Sequence, residues 1–233
     1  MTESTTSTVP STVGVLGGGR MGAGIAHAFL ISGARVTVVE VDAQAAEAAK
    51  ERVESDLAKS LERGKIDGNL DVWTEHFAVS VDYADFANCE LVVEAVPELW
   101  DLKVSSLQEV EANLSEGAWL ATNTSSLSVD GLAAELQRPE RFCGMHFFNP
   151  VPASKLVEIV LGERTSQELR DLTLQWVAGL GKTPVTVTDA PGFASSRLGV
   201  ALGLEAIRMV EEGVASAEDI DNAMVLGYKH PVG

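Results

Sequence analysis

Short apolar runs alternate with segments of helical periodicity along most of this sequence. The runs have the length of buried parallel strands, and they stand at residues 13–16, 35–39, 78–81, 91–96, 118–122, 141–146, 156–160 and 183–188. Between them, segments such as 42–63 repeat apolar residues at the spacing of one helix face. Pro97 suits a first helical turn and predicts a helix that ends near Asn113. Strands that alternate with helices predict an α/β fold, a Rossmann-type doubly wound sheet.

The pattern changes after residue 189. Residues 197–212 and 217–226 both have helical periodicity, and no strand is predicted between them. We therefore expect a sheet domain over residues 13–189, followed by a short all-helical domain over residues 190–233. The second domain is too small to bury a core of its own. Residues 1–12 are rich in Ser and Thr and lack an apolar core, which predicts a disordered tail rather than a signal peptide.

A glycine-rich turn joins the first predicted strand to the first helix. Gly17, Gly19 and Gly22 form a Gly-x-Gly-x-x-Gly motif, which also contains Met21. The three glycines permit a tight turn, a close approach of the backbone to a pyrophosphate, and close packing of helix on strand. Glu40 ends the second strand, where a carboxylate accepts ribose hydroxyls and repels a 2′-phosphate. These residues predict an NAD site, with NAD favoured over NADP.

Composition restricts the possible partners. The chain has a net charge of −17, from 34 acidic and 17 basic residues. Such a charge opposes binding to nucleic acid and to anionic membranes, and no apolar run approaches the ~20 residues of a membrane span. Cys89 and Cys143 lack the spacing of metal ligands and are predicted to be reduced packing residues. We therefore expect a cytoplasmic protein without a metal site.

Three cations stand near the end of the long predicted helix, and they are Lys59, Arg63 and Lys65. Considered alone, they are typical of a solvated face near a helix C-terminus. Alternatively, they could hold the phosphates of a large anionic substrate. In a chain of this charge, a polyanionic ligand depends on helix N-termini and a few local cations.

Polar side chains also follow the predicted strands at their carboxyl ends, where ligands bind in doubly wound sheets. His146 is the most informative of them, because Glu158 interrupts an otherwise apolar strand twelve residues later. If these two strands are neighbours, Glu158 can accept the imidazole N–H, fix its tautomer and raise its basicity. A buried carboxylate without such a partner would cost several kcal/mol. The other polar residues at this edge are Glu98, Asn123, Ser125 and Asn149.

Several motifs, in order along the chain, resemble those of L-3-hydroxyacyl-CoA dehydrogenases, in particular the monofunctional 3-hydroxybutyryl-CoA type. The His-Phe-Phe-Asn-Pro element is specific, since it separates this family from other enzymes that are similar to 6-phosphogluconate dehydrogenase. The similar segments are the glycine motif through Ala26, Val93–Glu98, Asn123–Ser126, Gly144–Pro152, Leu156–Glu158 and the Asp-x-Pro-Gly-Phe of residues 189–193.

The resemblance implies an NAD-dependent enzyme that oxidises (S)-3-hydroxyacyl-CoA to 3-ketoacyl-CoA, and catalyses the reverse, with a short-chain substrate such as 3-hydroxybutyryl-CoA. It implies that His146 is the general base and Glu158 its orienting carboxylate. Ser125 and Asn149 would bind the substrate hydroxyl or the carbonyl that it becomes.

For the cofactor and coenzyme A, the resemblance implies further contacts. Coenzyme A would lie along the outer face of the long helix pair, which favours the phosphate interpretation of the three cations. The residues on the nicotinamide-ribose side would be Asn123, Glu98 and Lys103.

The chain departs from the family in two places. Ser196 stands where the family uses a substrate-facing Asn, so the acyl contact there is expected to differ. Residues 229–233 resemble a point at which the family continues with helices that complete the substrate domain and usually form a homodimer. An exposed apolar helix face is therefore expected.

The sequence is also compatible with two other functions. An L-gulonate-type 3-dehydrogenase could use the same fold, but a sugar acid would favour polar contacts where Phe147 and Phe148 stand. A catalytically silent NAD-binding protein is the other alternative.

Overall fold

The computed structural model describes residues 9–230, which form two compact units, one up to Pro191 and one from Gly192 onward. The first unit contains one mixed sheet, and the predicted doubly wound α/β fold is confirmed. Its strands are β1 (Thr12–Leu16), β2 (Arg35–Val39), β3 (Phe77–Ser80), β4 (Leu91–Glu94), β5 (Trp119–Thr122), β6 (Phe142–Phe147), β7 (Leu156–Leu161) and β8 (Thr183–Thr188).

The sheet order is β3-β2-β1-β4-β5-β6-β7-β8. All neighbours are parallel except β6 and β7, which run antiparallel. The order reverses between β1 and β4, and ligands of doubly wound sheets bind beyond the strand ends at such a point. The helices of this unit are α1 (Arg20–Ile31), α2 (Ala43–Glu62), α3 (Leu70–Thr74), α4 (Trp100–Asn113), α5 (Val129–Ala134) and α6 (Gln167–Gly179).

Alternate residues of β1 pack on opposite faces of the sheet. Val13 and Val15 belong to the apolar core cluster that contains residues of α1, α2 and α6. Gly14 faces the other way, where an added Cβ would lie 2.5 Å from the Phe86 ring and 2.7 Å from Val92. This close packing holds the carboxyl end of β1, and with it the glycine turn, in a fixed position.

The ends of several elements differ from the sequence prediction. Helix α4 begins at Trp100, three residues after Pro97, because Leu99 has extended backbone dihedrals and caps the helix. This extended segment leaves Glu98 outside the helix, where its side chain meets the loop after β5. Residues 9–12 belong to the fold rather than to the predicted tail, since Val9 is buried and Thr12 opens β1. The rest of that tail, residues 1–8, lies outside the described residues.

The second unit contains α7 (Ser195–Glu211) and α8 (Ala217–Asn222), followed by a π-helical turn over Ala223–Gly227. Its described residues form helices and turns, as the periodicity predicts. Residues 231–233 lie outside the described part. Helix α7 carries six exposed apolar side chains, which are distributed around the helix rather than confined to one face: Leu198, Val200, Leu202, Leu204, Ile207 and Val210. Across residues 9–230, every helix is too short or too polar to span a membrane.

Candidate active site

A histidine and a buried carboxylate meet at the carboxyl end of β6. His146 and Glu158 are directly paired in the β6–β7 register, so the predicted proximity of their strands is confirmed. Nδ1 of His146 lies 2.8 Å from Oε2 of Glu158, and Glu158 is only 1% exposed. Because Nδ1 engages the carboxylate, proton transfer to a ligand would use Nε2. This arrangement can fix the imidazole tautomer and stabilise an imidazolium.

The two phenylalanines after His146 have different surroundings. Phe147 is 2% exposed and belongs to the core, whereas the ring of Phe148 packs on His146 with centroids 4.4 Å apart. The expected apolar contact with a substrate can therefore come from Phe148 but not from Phe147. Asn149, which follows, is exposed at the same edge.

Asn123 ties the loop after β5 to this edge. Its Oδ1 accepts the backbone N–H of Phe147 at 2.8 Å. This hydrogen bond joins the loop after β5 to the end of β6, one residue after His146.

The next three residues of this loop gather on one oxygen of Glu98. Oε1 of Glu98 accepts the Thr124 hydroxyl at 2.6 Å, the Ser125 amide at 2.8 Å and the Ser126 amide at 3.0 Å. The Ser125 hydroxyl also donates to it at 3.3 Å. Burial alone would raise the pKa of Glu98, but these donors and the Lys103 ammonium outweigh it and lower the pKa to about 2. Glu98 is therefore ionised and holds the Thr124–Ser126 loop, which we call the Ser125 loop.

Lys103 lies behind Glu98 rather than at the surface. Its side chain is 1% exposed, and Nζ lies 3.3 Å from Oε2 of Glu98. Nζ also donates to Oε1 of Glu94 at 2.7 Å and to the carbonyl of Val96 at 3.2 Å. Glu94 received no role from the sequence. Its position at the end of an apolar strand was the signal that could have found it.

The glycine turn has the close contacts that the motif predicts. Gly17 adopts φ +87°, and a Cβ on Gly22 would lie 1.7 Å from the Gly17 carbonyl oxygen. Glu40 lies beside the turn, with Oε1 accepting the Gly18 amide at 2.6 Å. Met21 is partly buried against the core cluster, so its side chain supports the turn from the protein side.

An open cavity of about 370 Å³ lies between α1 and α2, beside the glycine turn. Lys59 lines it and pairs with Asp56 at 3.0 Å, while Arg63 and Lys65 are exposed beyond this lining. Arg20 and Arg52 also line the cavity and were not singled out by the sequence reasoning. The spacing of Arg52 and Lys59, two helical turns apart on one face, was a usable signal.

Ser196 belongs to the second unit, and the two cysteines belong to the first. Ser196 stands in the first turn of α7, within the second unit, and is half-buried. Cys89 and Cys143 are buried free thiols. Burial, with a smaller contribution from Asp85, raises the pKa of Cys89 to about 11, and burial raises that of Cys143 to about 12. Both therefore act as packing residues.

Comparison with known proteins covers both units. Residues 12–190 match the family described as 3-hydroxyacyl-CoA dehydrogenase, NAD binding domain, and residues 192–233 match its C-terminal domain. The chain is 39% identical over 220 residues to the "Probable 3-hydroxybutyryl-CoA dehydrogenase" of Deinococcus radiodurans, which covers 94% of this chain and 79% of that protein. It is 35% identical over 220 residues to the 3-hydroxybutyryl-CoA dehydrogenase of Clostridioides difficile, covering 94% and 78%.

A solved structure is similar over the same region. The (S)-3-hydroxybutyryl-CoA dehydrogenase PaaH1 from Ralstonia eutropha superposes with a TM-score of 0.92 at 37% identity, covering 96% of this chain and 80% of that one.

Proposed function

The chain belongs to the 3-hydroxyacyl-CoA dehydrogenase family, and from this premise we propose that it oxidises (S)-3-hydroxyacyl-CoA to 3-ketoacyl-CoA with NAD, and catalyses the reverse. The 2.8 Å contact between His146 Nδ1 and Glu158 Oε2 supports this reaction most directly. A short acyl chain such as 3-hydroxybutyryl is proposed because relatives at 35–39% identity carry that name.

The residues around the glycine turn fit NAD. A Cβ on Gly19 would meet no protein atom within 4 Å, which leaves room for a pyrophosphate at the start of α1. Glu40 stands where a carboxylate can receive ribose hydroxyls. When bound, NAD supplies the acceptor for the hydride that leaves C3 of the substrate. On the nicotinamide-ribose side, the proposed contacts are Asn123 and Glu98. The expected contact from Lys103 is not proposed, because its side chain is buried behind Glu98 and supports Glu98 through their ion pair.

The proton step uses the residues at the β6 edge. Nε2 of His146 takes the proton of the substrate 3-hydroxyl while C3 loses hydride, and Glu158 stabilises the imidazolium that forms. Ser125 and Asn149 hold the substrate oxygen, and their polar groups stabilise charge on it in the transition state. The bound geometry must be accurate, because small displacements of such groups cost large factors in rate.

Coenzyme A is proposed to dock along α2. Lys59 is the cation of the predicted set that lines the 370 Å³ cavity, and Arg20 and Arg52 add two positive charges to its wall. Glu51 and Asp56 line the same cavity and offset part of this positive charge. Arg63 and Lys65 would reach the same phosphates from the exposed end of the helix.

A homodimer and a cytoplasmic location complete the proposal. The exposed apolar side chains of α7 support association of two copies. Sedimentation of the chain at several concentrations would test this association.

The decisive experiment is a chain-length series of 3-ketoacyl-CoA substrates with NADH, measured for wild type and His146→Ala. We expect kcat of the variant to fall by roughly 10²- to 10⁴-fold, with little change in NADH affinity. His76→Ala is the matched control, because His76 is exposed just before β3, at the opposite edge of the sheet. Oxidation of L-gulonate by the wild type would favour the sugar-acid alternative, and NAD binding without any turnover would favour the silent one.

A further inference from the structure

Glu94 is a completely buried carboxylate at the end of β4. Its Oε1 accepts the Lys103 ammonium and the Val96 amide, both at 2.7 Å, and its Oε2 accepts the Thr122 hydroxyl at 2.6 Å. Both oxygens of the carboxylate thus accept hydrogen bonds. Buried ion pairs of this kind are often no more stabilising than well-packed apolar residues of similar size. Stability alone therefore gives a weak account of Glu94.

One hydrogen-bond route leads from Glu94 to the Ser125 loop through the end of β5. The Thr122 hydroxyl donates to Glu94, and its oxygen accepts the backbone N–H of Thr124 at 3.2 Å. Because the hydroxyl hydrogen of Thr122 is donated to Oε2 of Glu94, the hydroxyl oxygen is oriented to accept the Thr124 amide. These two bonds hold the backbone of Thr124, the first residue of the Thr124–Ser126 loop.

A second route reaches the same loop through α4. Lys103 joins Glu94 to Oε2 of Glu98, and Oε1 of Glu98 accepts the amides of Ser125 and Ser126. Without the negative charge of Glu94, the Lys103 ammonium would lose its shorter ion pair. Both routes begin at one carboxylate and end on residues 124–126.

We propose that Glu94 is a positioning residue for the dehydrogenase reaction, which holds the Thr124–Ser126 loop through Thr122 and through the Lys103–Glu98 pair, and so places the Ser125 hydroxyl against the substrate oxygen. This rests on the proposed function for the role of Ser125. Groups that stabilise developing charge must be held before the reaction begins, which is what a buried, fully bonded network achieves.

Helix α4 offers a matched control in Glu111. It is also buried, at 9% exposed, and its oxygens accept the amides of Gln137 and Arg138 at 2.8 Å and 2.7 Å. Glu111 is thus buried like Glu94, accepts backbone amides as Glu94 does, and stands on the same helix as Lys103. None of its bonds to Gln137 and Arg138 involves the Thr124–Ser126 loop. Loss of its charge tests general destabilisation alone.

The kinetic test compares Glu94→Gln, Thr122→Val and Glu111→Gln. We expect kcat to fall by on the order of tenfold in Glu94→Gln and less in Thr122→Val, with little change in KM for the acyl-CoA or in NAD affinity. Thr122→Ser, which keeps the hydroxyl, should recover most of the kcat lost in Thr122→Val. Glu111→Gln should keep the wild-type kcat even if its melting temperature falls. Wild-type kcat in Glu94→Gln, or an equal loss in Glu111→Gln, would overturn the proposal.

Amide hydrogen exchange at Ser125 and Ser126 provides a test that does not depend on turnover. Both amides should exchange faster in Glu94→Gln than in wild type, and at the wild-type rate in Glu111→Gln. If the wild type shows no dehydrogenase activity, the proposed function fails, while the exchange rates still decide whether Glu94 holds the Thr124–Ser126 loop. Thr122→Val carries both measurements if Glu94→Gln does not fold. Unchanged exchange at both amides would contradict the positioning role.

Discussion

Glu158, the third residue of β7, lies directly opposite His146, the fifth residue of β6. The pairing depends on the direction of β7, which runs antiparallel to β6. An early residue of an antiparallel strand reaches the carboxyl edge of its neighbour, whereas in a parallel strand it would lie toward the opposite edge. The reversal at β7 therefore brings a buried carboxylate to the edge at which ligands of this fold bind.

The role of Glu158 can be tested with Glu158→Gln. The amide keeps the size of the side chain but cannot stabilise an imidazolium, so we expect kcat to fall by roughly 10²- to 10⁴-fold with little change in NAD affinity. Steady-state kinetics in both directions would measure it. Glu163→Gln is the control, since Glu163 is exposed just after the same strand. A Glu158→Gln enzyme with wild-type kcat would exclude the orienting role.

Glu98 gives a prediction for the dependence of stability on pH. Its pKa of about 2 in the folded chain lies below the ordinary value of 4.5, so the carboxylate stabilises the fold above about pH 4.5. This contribution is lost as the pH falls from about 4.5 toward 2. Glu98→Gln should therefore lower the melting temperature by a constant amount from pH 7 to about pH 5, and the difference should shrink at lower pH.

Melting curves of wild type and Glu98→Gln across this range would measure the effect. Glu116→Gln serves as the control, because Glu116 is exposed in the turn after α4 and should show no such difference. If the difference between wild type and Glu98→Gln stayed constant down to pH 3, the ionised carboxylate would not be what holds the Ser125 loop.

Two glycines of the turn should separate stability from cofactor binding. A Cβ on Gly19 would meet no protein atom within 4 Å, so Gly19→Ala should keep the melting temperature and weaken NAD binding by on the order of tenfold. A Cβ on Gly22 would lie 1.7 Å from the Gly17 carbonyl oxygen, so Gly22→Ala should destabilise the fold by about 1–3 kcal/mol.

Calorimetry would give NAD affinity, and thermal melts would give stability, for both variants. Gly117→Ala controls for the substitution itself, since its Cβ also meets no atom within 4 Å. Wild-type NAD affinity in Gly19→Ala would mean that the pyrophosphate does not approach this residue.

Hydrophobic periodicity predicted the strands, and the carboxylate that interrupts an apolar strand singled out Glu158, because both patterns arise from burial along a single strand. The contact between His146 and Glu158 was predicted only on the condition that their strands are neighbours, which the structure shows. The partners of Glu94 and Lys103 could not be predicted in this way. Lys103 has the sequence appearance of an exposed helical lysine, and only the packing of α4 on β4 places its ammonium between Glu94 and Glu98. The start of α4 was missed for a related reason, since the bonds that Glu98 makes to the Ser125 loop are non-local.

Ser196 tests whether the departure from the family's Asn matters. Serine is shorter and has one donor, so Ser196→Asn should change KM or kcat for acyl-CoA substrates without changing NAD affinity. The chain-length series would measure both constants. Ser216→Asn is a control of the same chemistry on the N-cap of α8, where Ser216 accepts the Asp219 amide and asparagine caps equally well. Identical kinetics in Ser196→Asn and wild type would remove Ser196 from the substrate site.

Lys182 is predicted to hold the loop that carries Asn149. Its ammonium donates to the carbonyls of Val151 and Ser154, both at 2.6 Å, and Val151 in turn packs where a Cβ on Gly24 would lie 2.8 Å away. Lys182→Met keeps the length of the side chain but leaves two carbonyls without this donor, which should cost about 1–3 kcal/mol. Because the loosened loop begins beside Asn149, we expect a lower kcat and a smaller change in NAD affinity. Lys155→Met, at an exposed lysine of the same loop, is the control and should change neither quantity. Wild-type kcat in Lys182→Met would show that the loop keeps Asn149 in place without the two hydrogen bonds of Lys182.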